Sequence, residues 1–195
     1  MKEQPGSQNN TPLIIYSQNG QGKKVFTAQW IYKHLETCQK EFKDVIIPNF
    51  ITSAPNEYSA NYIIYKIIIR LREIFNIRRK LDLSEEKLRT NFYYWLDLAS
   101  RKIKKLKYFD GDLIIVIEGA NYICDQDRHV ETSLKFWLPK TLPDRVRLIL
   151  TLNDDSYNFD YLKKINCRFL ELRSSEDTKL SIINSYKDRP FFAVI

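Results

Sequence analysis

The sequence predicts an α/β fold: a mostly parallel sheet between layers of helices. Three observations point to it. Short, wholly apolar runs at Leu13–Tyr16, Leu113–Ile117 and Val146–Leu152 read as strands buried on both faces. Longer segments with apolar residues at helical spacing alternate with them. The first run also leads, through a loop holding two of the chain's five glycines, straight into a helix-compatible stretch.

The elements follow in order. Residues 1–12 are polar, with Pro5, Gly6 and Pro12, and read as a flexible lead-in; residues 13–190 read as a single domain. After the first strand, Val25, Ala28, Ile31, Tyr32 and Leu35 mark a helix from Lys23 to about Thr37. A second strand, Val45–Ile51, contains Pro48, which cannot donate to a ladder and so places it at a sheet edge. A turn at 53–59 precedes a helix marked by Ile63, Ile64, Ile67, Ile68, Leu71 and Phe75. Ser84 is placed to cap the next helix, whose stripe is Leu88, Phe92, Trp95, Leu96, Ala99, Ile103 and Leu106. The third and fourth strands follow, then a short helix at 159–165, a fifth strand at Cys167–Leu172 and a last helix over 174–186.

Composition narrows the function. With 44% apolar residues the chain can bury a full core. No run approaches the roughly 18 apolar residues of a membrane helix, and the start of the chain has no apolar signal core, so the expected location is cytoplasmic. Cys38, Cys124 and Cys167 are too far apart for a disulfide framework or zinc site, and His34 and His129 have no second ligand at metal spacing. The net charge of +7 is concentrated: ten basic and four acidic residues lie between Arg78 and Lys107. Arg101, Lys102, Lys104 and Lys105 cluster where a helix ends, a place that suits cations. They form a candidate docking face for an acidic protein surface. Nucleic acid is the weaker partner, because Phe92 and Trp95 belong to the apolar stripe and cannot interleave with the cations.

The stretch LIIYSQNGQGKKVFTA, residues 13–28, has the layout of a phosphate-binding loop: strand, glycine loop, lysine, helix. Backbone N–H groups in such a loop converge on an anion at the start of a helix dipole. Against the pattern G-x-x-x-x-G-K-[S/T], Ser17 takes the place of the first glycine and Lys24 that of the hydroxyl residue.

LIIVIEGANYI, an apolar strand ending in Glu118, resembles the second nucleotide motif of P-loop NTPases. WLPKTLPDRVRLILT and ITSAPNEYSANYIIYKIIIRLREIF are similar to further segments of signalling NTPases of the STAND class, NACHT type, in their nephrocystin-3-like and telomerase-associated-protein-like branches. The likeness spans about residues 12–186. It implies an additional-strand sheet of order 5-1-4-3-2, ATP or GTP at the carboxyl ends of the strands, and further regions beyond the NTPase domain, so that this chain is either one piece of a larger protein or a reduced core. Carried over residue by residue, Ser17, Asn19, Gly20, Gln21 and Gly22 form the loop, and Lys23 reaches the β- and γ-phosphates. Lys24 replaces the hydroxyl that ligates Mg²⁺, and a second ammonium there repels the metal. Glu118 stands for the acid that holds Mg²⁺ through water. Asn121 and Tyr122 stand where relatives carry a water-polarising acid, and neither is a carboxylate base. Thr151 fits a polar sensor position, and Asn153 and Asp154 follow where relatives often have arginine.

The resulting expectation is a degenerate NTPase-like domain serving as a binding or assembly module, with Glu118 and Asn121 as what remains of the catalytic positions. The alternatives are a working ATP- or GTP-dependent switch and a nucleic-acid-binding module using the basic helix. A nucleotide kinase would need an arginine lid, for which only Arg78 and Arg79 are candidates. The nephrocystin-like resemblance further implies a ciliary or cytoskeletal setting.

Overall fold

A computed structural model of the chain describes residues 10–41, 44–51, 59–82, 84–107, 109–123, 134–165 and 167–173. The elements are β1 (Leu13–Ser17), α1 (Lys23–Glu41), β2 (Val45–Phe50), α2 (Ala60–Phe75), α3 (Glu85–Lys104), β3 (Leu113–Glu118), α4 (Leu134–Trp137), β4 (Val146–Asn153), α5 (Tyr157–Lys163) and β5 (Arg168–Glu171). The turn expected at 53–58 and the last helix expected at 174–186 lie outside the described residues.

The five strands form one sheet of order β2-β3-β4-β1-β5, parallel throughout. Read from the other edge this is 5-1-4-3-2, the order expected. Ile14 lies opposite Leu150 on one side and Phe169 on the other. β2 takes an edge, where the missing N–H of Pro48 costs no ladder bond to a further strand.

Alternation along the strands makes two cores. Ile14, Leu113, Ile115, Ile117, Leu148, Leu150 and Leu152 face the larger one, with α2, α3, α4 and α5. Ile15, Ile114, Val116 and Ile149 face the smaller one, with Ile31 of α1. Helices therefore cover both faces, the three-layer arrangement of an α/β domain. The stripes of α2 and α3 are buried as their spacing predicts: Ile64, Ile67, Ile68, Leu71, Phe92, Leu96, Ala99 and Ile103 are wholly inaccessible.

Several local expectations are corrected. On α1 the buried face carries Lys23, Thr27 and Ile31, whereas Ala28, Tyr32 and Leu35 are exposed. Leu106 is half exposed because α3 stops at Lys104. Ser84 sits at the N-cap of α3 without a side-chain cap bond; instead its N–H donates to Asp82 Oδ1 at 3.0 Å. The packed region also begins earlier than Leu13. Thr11 and Pro12 are buried, the Asn10 carbonyl accepts from Leu142 N–H at 2.6 Å, and the Pro12 carbonyl accepts from Arg168 N–H at 2.9 Å.

Candidate functional site: a phosphate-type loop with two lysines

β1 ends at Ser17, beside Asn153 at the end of β4. The chain then turns through Gln18–Gly22 before α1 begins at Lys23. Gly20 and Gly22 take φ of +80° and +81°, backbone that side chains disfavour. No atom lies within 4 Å of where a Cβ on Gly20 would be, so conformation rather than space requires glycine there. The Gly22 carbonyl accepts from Phe26 N–H at 2.9 Å, which opens the helix.

Lys23 is 8% exposed, and its ammonium folds back over the loop. Its Nζ donates to the Ser17 carbonyl (3.0 Å), the Ser17 hydroxyl (3.0 Å) and the Gln18 carbonyl (2.9 Å). An ammonium has three donors, so the loop's own oxygens hold all of them. The Ser17 hydroxyl is one of these acceptors, and glycine could not supply it. Burial pushes the Lys23 pKa below the ordinary lysine value, against the pull of Asp154, Glu118 and Asp155. Those two aspartates follow β4, and sequence reasoning missed them as loop neighbours. The signal was an acidic pair right after a strand that the sheet order puts beside β1.

Glu118 ends β3 and is 7% exposed. Burial raises its pKa above the usual glutamate value; the charges of Lys24 and Lys23 oppose that. The next residue, Gly119, has φ +82°, and a Cβ there would lie 3.1 Å from the Tyr122 ring and 3.4 Å from the Ile51 carbonyl. Its N–H donates to Thr151 Oγ1 at 2.9 Å. Thr151 is wholly buried, so its hydroxyl holds the turn after Glu118. Asn121 is buried in a 3-10 turn over Ala120–Ile123, while Tyr122 is 42% exposed.

The structure thus gathers Ser17, Gly20, Gln21, Gly22, Lys23, Lys24, Glu118 and Thr151 at the carboxyl edge of β1, β4 and β3. Asn19 is exposed in the same loop. Gln21 Oε1 and Thr27 Oγ1 are buried without a hydrogen-bond partner among the described residues. No group of three or more His, Cys, Asp or Glu residues placed to hold a metal occurs among the described residues. Cys167 is half-buried, and burial pushes its thiol up to about 11, so it carries little nucleophilic thiolate at neutral pH.

The basic cluster lies elsewhere. Lys104 pairs with Asp144 at 3.1 Å, two residues before β4, which puts the end of α3 at the amino edge of the sheet, away from the loop. Arg101 pairs with Asp97 one turn back. Lys102 and Lys105 are exposed and make no ion pair among the described residues. The face points outward, but two of its four cations are already partnered. No helix among the described residues is long and apolar enough to cross a membrane.

No family model matches the chain. It is 24% identical over 148 residues to telomerase protein component 1 of Mus musculus, a match covering 73% of this chain. The chain spans only 5% of the length of that protein. Among solved structures it is similar to the Aeropyrum pernix ORC1 protein in complex with DNA, at a TM-score of 0.47 and 13% identity, over 91% of this chain and 44% of that one. Neither match assigns a family at those values. The geometry agrees with what the resemblance to P-loop NTPases implied for the fold: a parallel sheet of order 5-1-4-3-2, with a glycine loop and a lysine between its first strand and first helix.

Proposed function

We propose that this chain is a NACHT-type, degenerate P-loop domain that binds nucleotide weakly, hydrolyses it little and serves as a binding or assembly module. One observation carries the reading: the loop keeps its left-handed glycines and its lysine, while position 24 has an ammonium for a hydroxyl and position 121 a carboxamide for an acid. Binding groups are retained, and the groups that place a metal and polarise water are replaced. Phosphoryl transfer relies on positioned charge more than on covalent chemistry, so these replacements act on turnover first. The partial likeness to a telomerase protein component supports a part in a larger assembly.

Titration with ATP and GTP by calorimetry tests the reading. The expected affinity is on the order of 0.1 mM, between the millimolar and micromolar benchmarks of about 4 and 8 kcal/mol. Turnover is expected far below about 1 s⁻¹, the low end for enzymes. Turnover at that level would sink the non-hydrolytic reading, and absence of heat with both nucleotides would sink the nucleotide site.

The cationic end of α3 is the docking side in this reading, directed at an acidic protein surface. Its exposure and its distance from the glycine loop leave it free for a partner while the loop is engaged. Rim charges govern association and salt dependence. Reversing Lys102, Lys104 and Lys105 to glutamate is expected to abolish retention on immobilised poly-glutamate without changing the melting temperature much. Equal retention of the triple variant and its parent at physiological salt would refute this docking face.

A further inference from the structure

Where loops of this kind hold a magnesium nucleotide, the hydroxyl after the lysine and the acid ending the third strand flank the ion. Here the residues do not fit a cation. Position 24 is Lys24, exposed on the first turn of α1. Its ammonium is the strongest of the charges acting on the Glu118 carboxyl, ahead of Lys23. The nearest hydroxyl further along the helix, on Thr27, is 2% exposed, a turn deeper in the fold. A divalent ion placed at this edge would face two ammonium groups, with Glu118 as its acid. The same two ammonium groups suit an anion that brings no metal.

We infer that the loop takes a polyphosphate chain free of divalent metal, with Lys24 supplying the positive charge that magnesium supplies in related sites. This rests on the reading of the loop as a phosphate site and states which form of the ligand it selects. Lys23 serves the loop side of the chain once it leaves the Ser17 and Gln18 oxygens. Lys24 meets the outer phosphates from the exposed first turn of the helix. A metal-free triphosphate carries more negative charge than its magnesium complex and meets two ammonium groups and a helix N-terminus without a competing cation.

The test is calorimetry of the full chain with ATP and with inorganic tripolyphosphate, in EDTA and in excess MgCl₂. Binding is expected to be tighter in EDTA for both probes. Lys24→Ser is expected to weaken binding in EDTA about tenfold, the worth of a charge-assisted hydrogen bond, and to shift the preference toward the magnesium form. Lys24→Arg should keep the parent's preference. Because Lys24 is exposed, a melting curve matching the parent's is expected for both variants. Tighter binding in magnesium by the parent, or a Lys24→Ser variant unchanged in EDTA, overturns this inference and leaves the phosphate site standing. No binding of either probe in either buffer overturns the phosphate site and this inference together.

Discussion

Replacing Phe92 by alanine is expected to destabilise the domain by about 3–5 kcal/mol, the range for a buried aromatic truncated in a core. Phe92 has no accessible surface and belongs to the stripe that α3 turns toward the sheet. Its ring meets Trp137 of α4 edge-on, with centroids 5.7 Å apart. α4 is only four residues long, too short to hold its place by its own helical bonds. The Phe92–Trp137 contact therefore helps to hold it against α3, and truncation opens a void beside Trp137. Against a typical total of about 5–15 kcal/mol, a loss of that size is about a fifth of the stability or more. The check is a urea titration in which the midpoint falls while the slope stays the same. Tyr93, the next residue, is 47% exposed, and Tyr93→Ala should stay within about 0.5 kcal/mol. A Phe92→Ala loss as small as that of Tyr93→Ala would show that α3 packs otherwise than described.

Lys23→Ala is expected to remove detectable nucleotide and tripolyphosphate binding, a loss of about a hundredfold. The ammonium is buried, positively charged and placed where the loop closes, whereas the other ammonium of the site, on Lys24, is exposed on the helix and is assigned to the outer phosphates. Stability should change little, for three reasons. The Ser17 carbonyl keeps a contact with Asp154 N–H at 3.3 Å, and the Gln18 carbonyl one with Gln21 N–H at 3.4 Å. The substitution also takes a buried charge out of a costly place. Only the protonated amine binds an anion. Because burial lowers its pKa, affinity is expected to start falling with rising pH sooner than for an ordinary lysine near 10.4. Calorimetry across that alkaline range reads the effect. Retained binding by Lys23→Ala at neutral pH would mean that the loop is not the phosphate site.

The residues themselves determined the layering. β3 and β4 are apolar nearly throughout because both faces of a central parallel strand are covered, and that is visible without coordinates. The stripes of α2 and α3 were equally legible, since a helix packed broadly on a sheet needs its apolar residues at that spacing. The glycine loop was legible because glycine is scarce in this chain and the two in the loop serve backbone conformation. The strand order came from the resemblance, since hydrophobic pattern alone does not say which strands are neighbours.

Only the tertiary structure decided the face of α1. Lys23, Thr27 and Ile31 turn inward, with Phe26 and Trp30 beside them, and Ala28, Tyr32 and Leu35 stay outside. Two aromatic residues left out of the predicted stripe, Phe26 and Trp30, pack against the smaller core in place of Ala28, Tyr32 and Leu35. The same holds for the charges of Lys24 and Lys23 acting on Glu118, and of Asp154 and Asp155 acting on Lys23. These groups are far apart in the chain and come together because β4 lies between β1 and β3, a juxtaposition made by parallel pairing and not written in any local stretch.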